Sequence, residues 1–219
     1  MPEDSQWDEA GCKTINELTR FVSRWYPDWS EAVYRNLLNR YELEGKMKLA
    51  TLSKGMQRKL AFIHAMSFDP DLLLMDESTS GLDPFAWRLM MDDIVQYMDR
   101  GSKTVIFATH ILDEVKRLAD YVAFMYEGQL IGFYEKDTLM DSWKIFWVES
   151  NEQQASAISG VVAVEAKSGA SSVRIISQAP AETEAALQRQ GIRMLNTQAV
   201  ELDEILAHLI RQNRIGTMK

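Results

Sequence analysis

Apolar residues recur along this chain in two rhythms. The first is helical. Leu18, Phe21, Val22 and Trp25 fall at i, i+3, i+4 and i+7, and Thr14 with Glu17 has the spacing of a capping box, so residues 14–26 predict an amphipathic helix with its stripe in the core. Pro27 and Asp28 break it. Ser30–Tyr41 predicts a second helix, with Tyr34, Leu37, Leu38 and Tyr41 on one face and Gly45 as terminator. Ser53 is placed to cap a third, running to about Ser67. After the turn Asp69-Pro70-Asp71 the rhythm changes to short continuous apolar runs. Leu72–Met75 and Lys103–Thr109 read as strands buried on both faces, and the helix between them, Phe85–Met98, is started by Pro84. Ile111–Leu118 predicts a helix. Tyr121–Met125 and Gln129–Tyr134 predict a hairpin about Glu127-Gly128. Alternating helix and apolar strand from residue 56 to 125 predicts an α/β domain with a largely parallel sheet.

Beyond Asp141 the texture changes. Strand Lys144–Glu149, helix Glu152–Ser159, strands Val161–Ala166 and Val173–Ser177 about a Gly/Ser turn, helix Ala181–Gln190 closed by Gly191, and strand Ile192–Thr197 follow one another. This β-α-β-β-α-β order is that of a ferredoxin-like arrangement, and a last helix, Glu201–Gln212, follows it. Two domains are expected, 1–141 and 142–219, the second a small α+β one.

Composition narrows the partners. A 219-residue chain that is 46% hydrophobic fills a core, while a net charge of −8 and a pI of about 5.0 argue against a nucleic acid held on a basic face. No apolar run approaches the roughly 18 residues that span a bilayer. The acidic, polar start MPEDSQWDEAG is unlike a secretory signal, and the single cysteine, Cys12, forms no internal disulfide. A cytoplasmic protein is expected.

The chemistry gathers between residues 52 and 110. The run Leu72–Met75 delivers two acids, Asp76 and Glu77, whose side chains a strand sends to opposite sides. One can hold Mg²⁺ while the other addresses a water, the division that phosphoryl transfer to water needs. Two solvated acids at a strand end are the plain alternative. Ser53-Lys54-Gly55 opens a helix and offers N–H groups and a hydroxyl to an anion, or simply caps the helix. His110 follows a strand end, within reach of a phosphate or a reacting water, or begins a loop. Ser80-Gly81-Leu82-Asp83 fits an ordinary turn.

Together, LSKGMQR (52–58), LLLMDE (72–77), SGLD (80–83) and ATH (108–110), in that order and spacing, resemble the ATP-binding subunit of ABC transporters, of the bacterial ABC-2-type exporter kind. The resemblance covers residues 1 to about 140. It implies a partial P-loop NTPase core with a helical lobe over about 14–67 and a Walker B, D-loop and H-loop core over 68–141; the C-terminal part resembles an accessory domain. It makes Ser53, Gly55 and Met56 the signature that contacts ATP held by the opposite subunit, although Lys54 and Met56 depart from the commonest spelling, LSGGQ. It makes Asp76 the Mg²⁺ site, directly or through water, and Glu77 the general base. Ser80, Gly81, Leu82 and Asp83 become the D-loop at a dimer interface, and His110 the switch histidine. Glu3 falls at the Q-loop position, where many members carry Gln. The implied cofactors are ATP and Mg²⁺. The implied partners are a second ATP-binding subunit, identical or not, and an integral-membrane permease on whose cytoplasmic side the subunit sits. The implied function is transport driven by ATP hydrolysis, export being preferred.

The family's Walker A loop, GxxxxGK[ST], does not occur in these 219 residues. Gly11-Cys12-Lys13-Thr14 imitates its tail, but the earlier glycine would fall at position 7, where Trp7 stands. In the family the Walker A strand lies in the sheet between the strand ending at His110 and the strand Tyr121–Met125. The expectation is a chain that begins after the Walker A region, with unpaired backbone and an apolar slot beside that strand, and that hydrolyses no ATP alone. A catalytically incompetent partner subunit or regulatory module that lends its signature to another ATPase is the alternative. An ABC-type head outside transport is a further one.

Overall fold

The computed structural model describes residues 11–166 and 172–217. Glu3 and most of the Gly/Ser turn after Ala166 lie outside them. The chain divides into two compact units, one ending at Leu118 and one beginning at Ala119.

In the first unit, helix α1 (Ile15–Val22) runs into a 3₁₀ turn over Ser23–Trp25. Thr14 caps it: its Oγ1 accepts from the Glu17 N–H at 3.3 Å. Glu17 reaches back to the Lys13 N–H at 2.6 Å, one residue before the usual capping-box partner. The buried face is Ile15, Leu18 and Thr19, whereas Phe21 and Trp25 of the expected stripe are 44% and 71% exposed. Trp25 lies on the tighter 3₁₀ turn, where three residues per turn rotate it off the α-helical stripe.

Helix α2 (Glu31–Arg40) is capped by Ser30 and buries Tyr34 and Leu37. Gly45 does not end it. Glu42 does, with φ 58°, while Leu43 N–H donates to Leu38 O at 2.9 Å and Glu42 N–H to Asn39 O at 3.1 Å. These are the two bonds of a Schellman motif, with Glu in the place usually taken by Gly. Helix α3 (Lys54–Met66) follows the Ser53 cap. Strand β1 (Leu72–Asp76), helix α4 (Pro84–Met98), strand β2 (Thr104–Ala108) and helix α5 (Leu112–Leu118) complete the unit. β1 and β2 are parallel, in register from Leu72 with Thr104 to Asp76 with Ala108. Leu60, Ile63, Met90, Met91, Ile94 and Tyr97 lie at the centre of the core.

The expectation of strands buried on both faces is corrected here. β1 alternates: Leu73 and Met75 are 5% exposed, but Leu72 is 49% and Leu74 67% exposed, as is Ile106 of β2 at 57%. Among the described residues β2 bonds only to β1. A two-stranded parallel sheet has one packed face, and the second apolar face of its strands goes uncovered.

The second unit opens with the hairpin β3 (Tyr121–Tyr126) and β4 (Gln129–Glu135). Glu127 and Gly128 turn it with φ 48° and 76°, the paired positive angles of a tight hairpin turn. β3 is therefore not a further parallel strand of an α/β sheet; it pairs antiparallel with β4. The short helix α6 (Lys136–Asp141), which the sequence pattern did not predict, is capped by Glu135. Then come β5 (Lys144–Val148), α7 (Glu152–Ser156), β6 (Val161–Ala166), β7 (Val173–Ser177), α8 (Pro180–Arg189) and β8 (Met194–Ala199). The four strands form one antiparallel sheet in the order β6-β7-β5-β8. Helix α9 (Leu202–Thr217) is held by a two-pronged contact, Arg174 to Glu204 at 2.8 and 2.7 Å. Within this unit α6 and α9 both pack on β4.

His64 on α3 gives the first unit a pH signature. It is 6% exposed, with Nε2 2.9 Å from Thr19 Oγ1, which donates to the Tyr34 hydroxyl at 2.9 Å. Burial lowers its pKa from 6.5 to about 4. Above pH 6.5 neither the folded nor the unfolded chain carries this proton. Below it the unfolded chain takes up a proton that the folded chain refuses, so stability falls with pH until about pH 4. The full loss is on the order of 3 kcal/mol. Urea denaturation at neutral pH and near pH 4.5 is expected to show this loss in the native chain and most of it removed in His64→Gln.

Candidate functional site

The site is set by a strand register. Asp76, last residue of β1, stands opposite Ala108, last residue of β2. The Glu77 N–H then donates to Ala108 O at 3.0 Å, extending the ladder one step. Glu77 itself has φ 47°, a left-handed conformation uncommon for a residue with a side chain and concentrated at functional positions. The strand alternation expected to oppose Asp76 and Glu77 stops at Asp76, because Glu77 is no longer extended. His110 lies two residues past β2, and its Nδ1 is 2.7 Å from Glu77 Oε1. Both side chains face solvent, at 73% for His110 and 40% for Glu77. The hydrogen bond to Glu77, and then its charge, hold the His110 pKa above its ordinary 6.5.

The loop after Glu77 folds back on itself. Ser80 N–H donates to Glu77 O at 3.2 Å and Leu82 N–H to Thr79 O at 3.0 Å, with Gly81 at φ 78°. The loop ends at Asp83, the N-cap of α4, whose Oδ1 accepts from Ala86 and Phe85 N–H at 2.9 and 3.0 Å. Those amide bonds, Ala86 first, and the Lys59 ammonium draw its pKa below the usual carboxylate range.

The Ser80–Asp83 loop sits on the first turn of α3. A β carbon at Gly55 would lie 3.0 Å from the Gly81 carbonyl oxygen and 3.8 Å from the Leu82 side chain. Gly55 is thus small for a reason within its own chain. Ser53 Oγ accepts from the Met56 N–H at 3.2 Å, so both residues are engaged in the helix cap. The first-turn amides of Lys54 and Gly55 belong to the N-terminal set that helical bonding leaves over, which suits an anion.

A buried acid that sequence reasoning missed underlies both loops. Glu114 of α5 is 1% exposed. Its Oε1 accepts from Trp87 Nε1 at 2.8 Å and from Thr79 Oγ1; its Oε2 accepts from Thr109 Oγ1 at 2.6 Å. The available signal was an acid four residues after His110, in the first turn of the predicted helix.

Asp76 is exposed at the end of β1. Among the described residues no three His, Cys, Asp or Glu side chains form a metal cage. A single carboxylate is nevertheless a donor set that fits Mg²⁺, which binds through one or two carboxylates with phosphates and water completing its shell. The described residues form no Walker A cradle for the phosphates themselves.

Comparison with known proteins fits this geometry. A family model described as "AAA domain, putative AbiEii toxin, Type IV TA system" matches residues 12–115. About half of the chain is homologous to ATP-binding subunits of ABC transporters. Nod factor export ATP-binding protein I of Bradyrhizobium diazoefficiens is 39% identical over 113 residues, which are 51% of this chain and 37% of that protein. The protein of the same name from Burkholderia orbicola is 35% identical over 134 residues, 59% of this chain and 44% of that one. Glycine betaine transport ATP-binding protein OpuAA of Bacillus subtilis is 42% identical over 80 residues, 36% of this chain and 19% of its own. A solved ATP-binding subunit of an ABC transporter superposes with a TM-score of 0.52 at 27% identity, over 58% of this chain and 55% of that chain. The matched stretch thus spans less than half the length of each of these three curated relatives and 55% of the solved subunit. No helix among the described residues is long and apolar enough to cross a membrane.

The pair makes a titration prediction. A raised His110 pKa means that the Glu77–His110 contact stabilises the fold fully below about pH 6.5 and is lost as pH rises through the folded value. NMR titration of the His110 ring is expected to give a pKa above 6.5 in the native chain and a lower one in Glu77→Gln; an unchanged value in the variant would disprove the contact.

Proposed function

We propose that the chain is the signature- and Walker B-bearing part of an ATP-hydrolysing subunit that drives a transporter. Export is the preferred direction, supported by the relatives named for Nod factor export. The observation that carries the reading is the Glu77–His110 contact of 2.7 Å at the ends of two parallel strands, with Asp76 beside it. In a parallel sheet the carboxyl ends of the strands are where ligands bind.

The geometry supports a division of roles. Glu77 is the general base; its Oε1 is engaged by His110, leaving Oε2 to take the proton of an attacking water. His110 orients the terminal phosphate and, by its hydrogen bond, holds the Glu77 carboxylate in one pose. Asp76 would hold Mg²⁺, which when bound supplies charge neutralisation on the phosphates. Ser53, Gly55 and Met56 form the helix start that meets ATP carried by a second ATP-binding subunit. The packing of Ser80–Asp83 on Gly55 supports reading that loop as the D-loop, which would lie at the same dimer interface. The helices α1 and α2 belong to the lobe that faces an integral-membrane permease on its cytoplasmic side. The second unit, with its β-α-β-β-α-β order, is an accessory domain.

ATPase assays test this directly. The 219-residue chain is expected to turn over no ATP by itself. Joined to, or mixed with, a polypeptide that carries a GxxxxGK[ST] loop, it is expected to hydrolyse ATP when Mg²⁺ is present. Glu77→Gln is expected to lower that rate by about 10²–10⁴-fold, the usual contribution of a general base. Turnover by the chain alone that survives Glu77→Gln would falsify the reading.

A further inference from the structure

We propose that Glu114 is a positioning residue that fixes Glu77 and His110 at contact distance. The proposal rests on reading that pair as the hydrolytic site. Its basis is a buried carboxylate whose partners all lie on the two loops or on α4. Thr79, two residues after Glu77, donates to Oε1; Thr109, the residue before His110, donates to Oε2 at 2.6 Å; Trp87 of α4 donates to Oε1 at 2.8 Å. Thr109 Oγ1 also accepts from the Ile111 N–H at 2.9 Å, so the same hydroxyl bridges the backbone on both sides of His110.

The strand ladder alone does not explain the pair. It ends at the bond from Glu77 N–H to Ala108 O. Past that point His110 is 73% exposed and Glu77 40% exposed, and an exposed pair of side chains keeps one geometry only at a cost in side-chain entropy. One carboxylate with an oxygen for each loop gives both backbones a common anchor. Thr79 is 3% and Glu114 1% exposed, so the anchor lies out of water, where a hydrogen bond to a carboxylate is strong and leaving it unmade is costly. An apolar side chain would fill this space without the cost of burying an acid. A two-sided acceptor is the residue type that ties two hydroxyls from different loops.

The test reads the His110 ring in the full chain by two-bond ¹H–¹⁵N NMR at a pH where the ring is neutral, with no nucleotide present. It therefore holds or fails independently of the ATPase reading. The native chain is expected to show His110 predominantly protonated at Nδ1, donating to Glu77, and Glu77→Ala gives the spectrum of the broken pair. Thr109→Val and Thr79→Val each remove one arm and leave the acid in place; both are expected to move His110 towards the broken spectrum. Glu114→Ala is expected to do the same, with partial recovery in Glu114→Gln, whose amide keeps one acceptor. Trp87→Phe removes only the α4 tie and is expected to leave His110 unchanged. Amide protection at the first-unit core residues Met90, Met91 and Ile94 controls for folding, and if Glu114→Ala does not fold, Thr109→Val decides. An unchanged His110 spectrum in folded Thr109→Val and Thr79→Val overturns the proposal. So does a shift in Trp87→Phe as large as theirs, because Glu114 would then act through general packing.

Discussion

The register of β1 against β2 is the constraint from which the rest of the first unit follows. Pairing Asp76 with Ala108 brings both strands to an end at the same level, so the two loops that leave them start side by side. Leu73 and Met75, 5% exposed, turn one face of β1 into the core and anchor the strand there. Glu77 then leaves the strand through a left-handed angle and meets His110. The chemistry of the site is thus an end effect of a sheet whose own stability comes from apolar packing beneath it.

Around that sheet the helices are tied by buried polar groups, each serving one junction. Asp93 of α4, 5% exposed, accepts from Tyr41 at 2.8 Å and pairs with Arg40 at 2.7 Å, which locks the end of α2 to α4; its burial pushes its pKa up. His64 does the same between α3 and the first two helices, and Glu114 between α4, α5 and the two loops. Such groups are costly to bury and strongly destabilising to leave unpaired, so they fix one arrangement more than they add to stability.

Much of this was legible in the sequence. Caps at Thr14 and Ser53 marked helix starts because a short polar side chain before an apolar stripe has few other uses, and both accept the helix N–H bond that pattern implies. The strand before Asp76 and the histidine after the second strand were found by composition. Their meeting was not, since it depends on a register that links residues 33 apart in the chain. Glu42 as a helix terminator was hidden because Gly45 was the better candidate by propensity, yet tertiary contact with Asn16 occupies Gly45. Glu114 was invisible for the same kind of reason: a local reading sees an acid in a polar helix turn, and only the fold shows what surrounds it. The separation of β3 from the parallel pair escaped notice because an apolar strand looks alike in either kind of sheet.

The uncovered side of β1 and β2 has a practical meaning for anyone handling the chain. Leu72, Leu74 and Ile106 form an apolar surface beside an edge of β2 whose backbone has no strand partner among the described residues. An edge of that kind, long in branched side chains and lacking a charge or proline within Thr104–Ala108, is a template for strand addition by another copy. The isolated chain is consequently a candidate for self-association through this edge, and mild detergent or low protein concentration becomes part of keeping it monomeric.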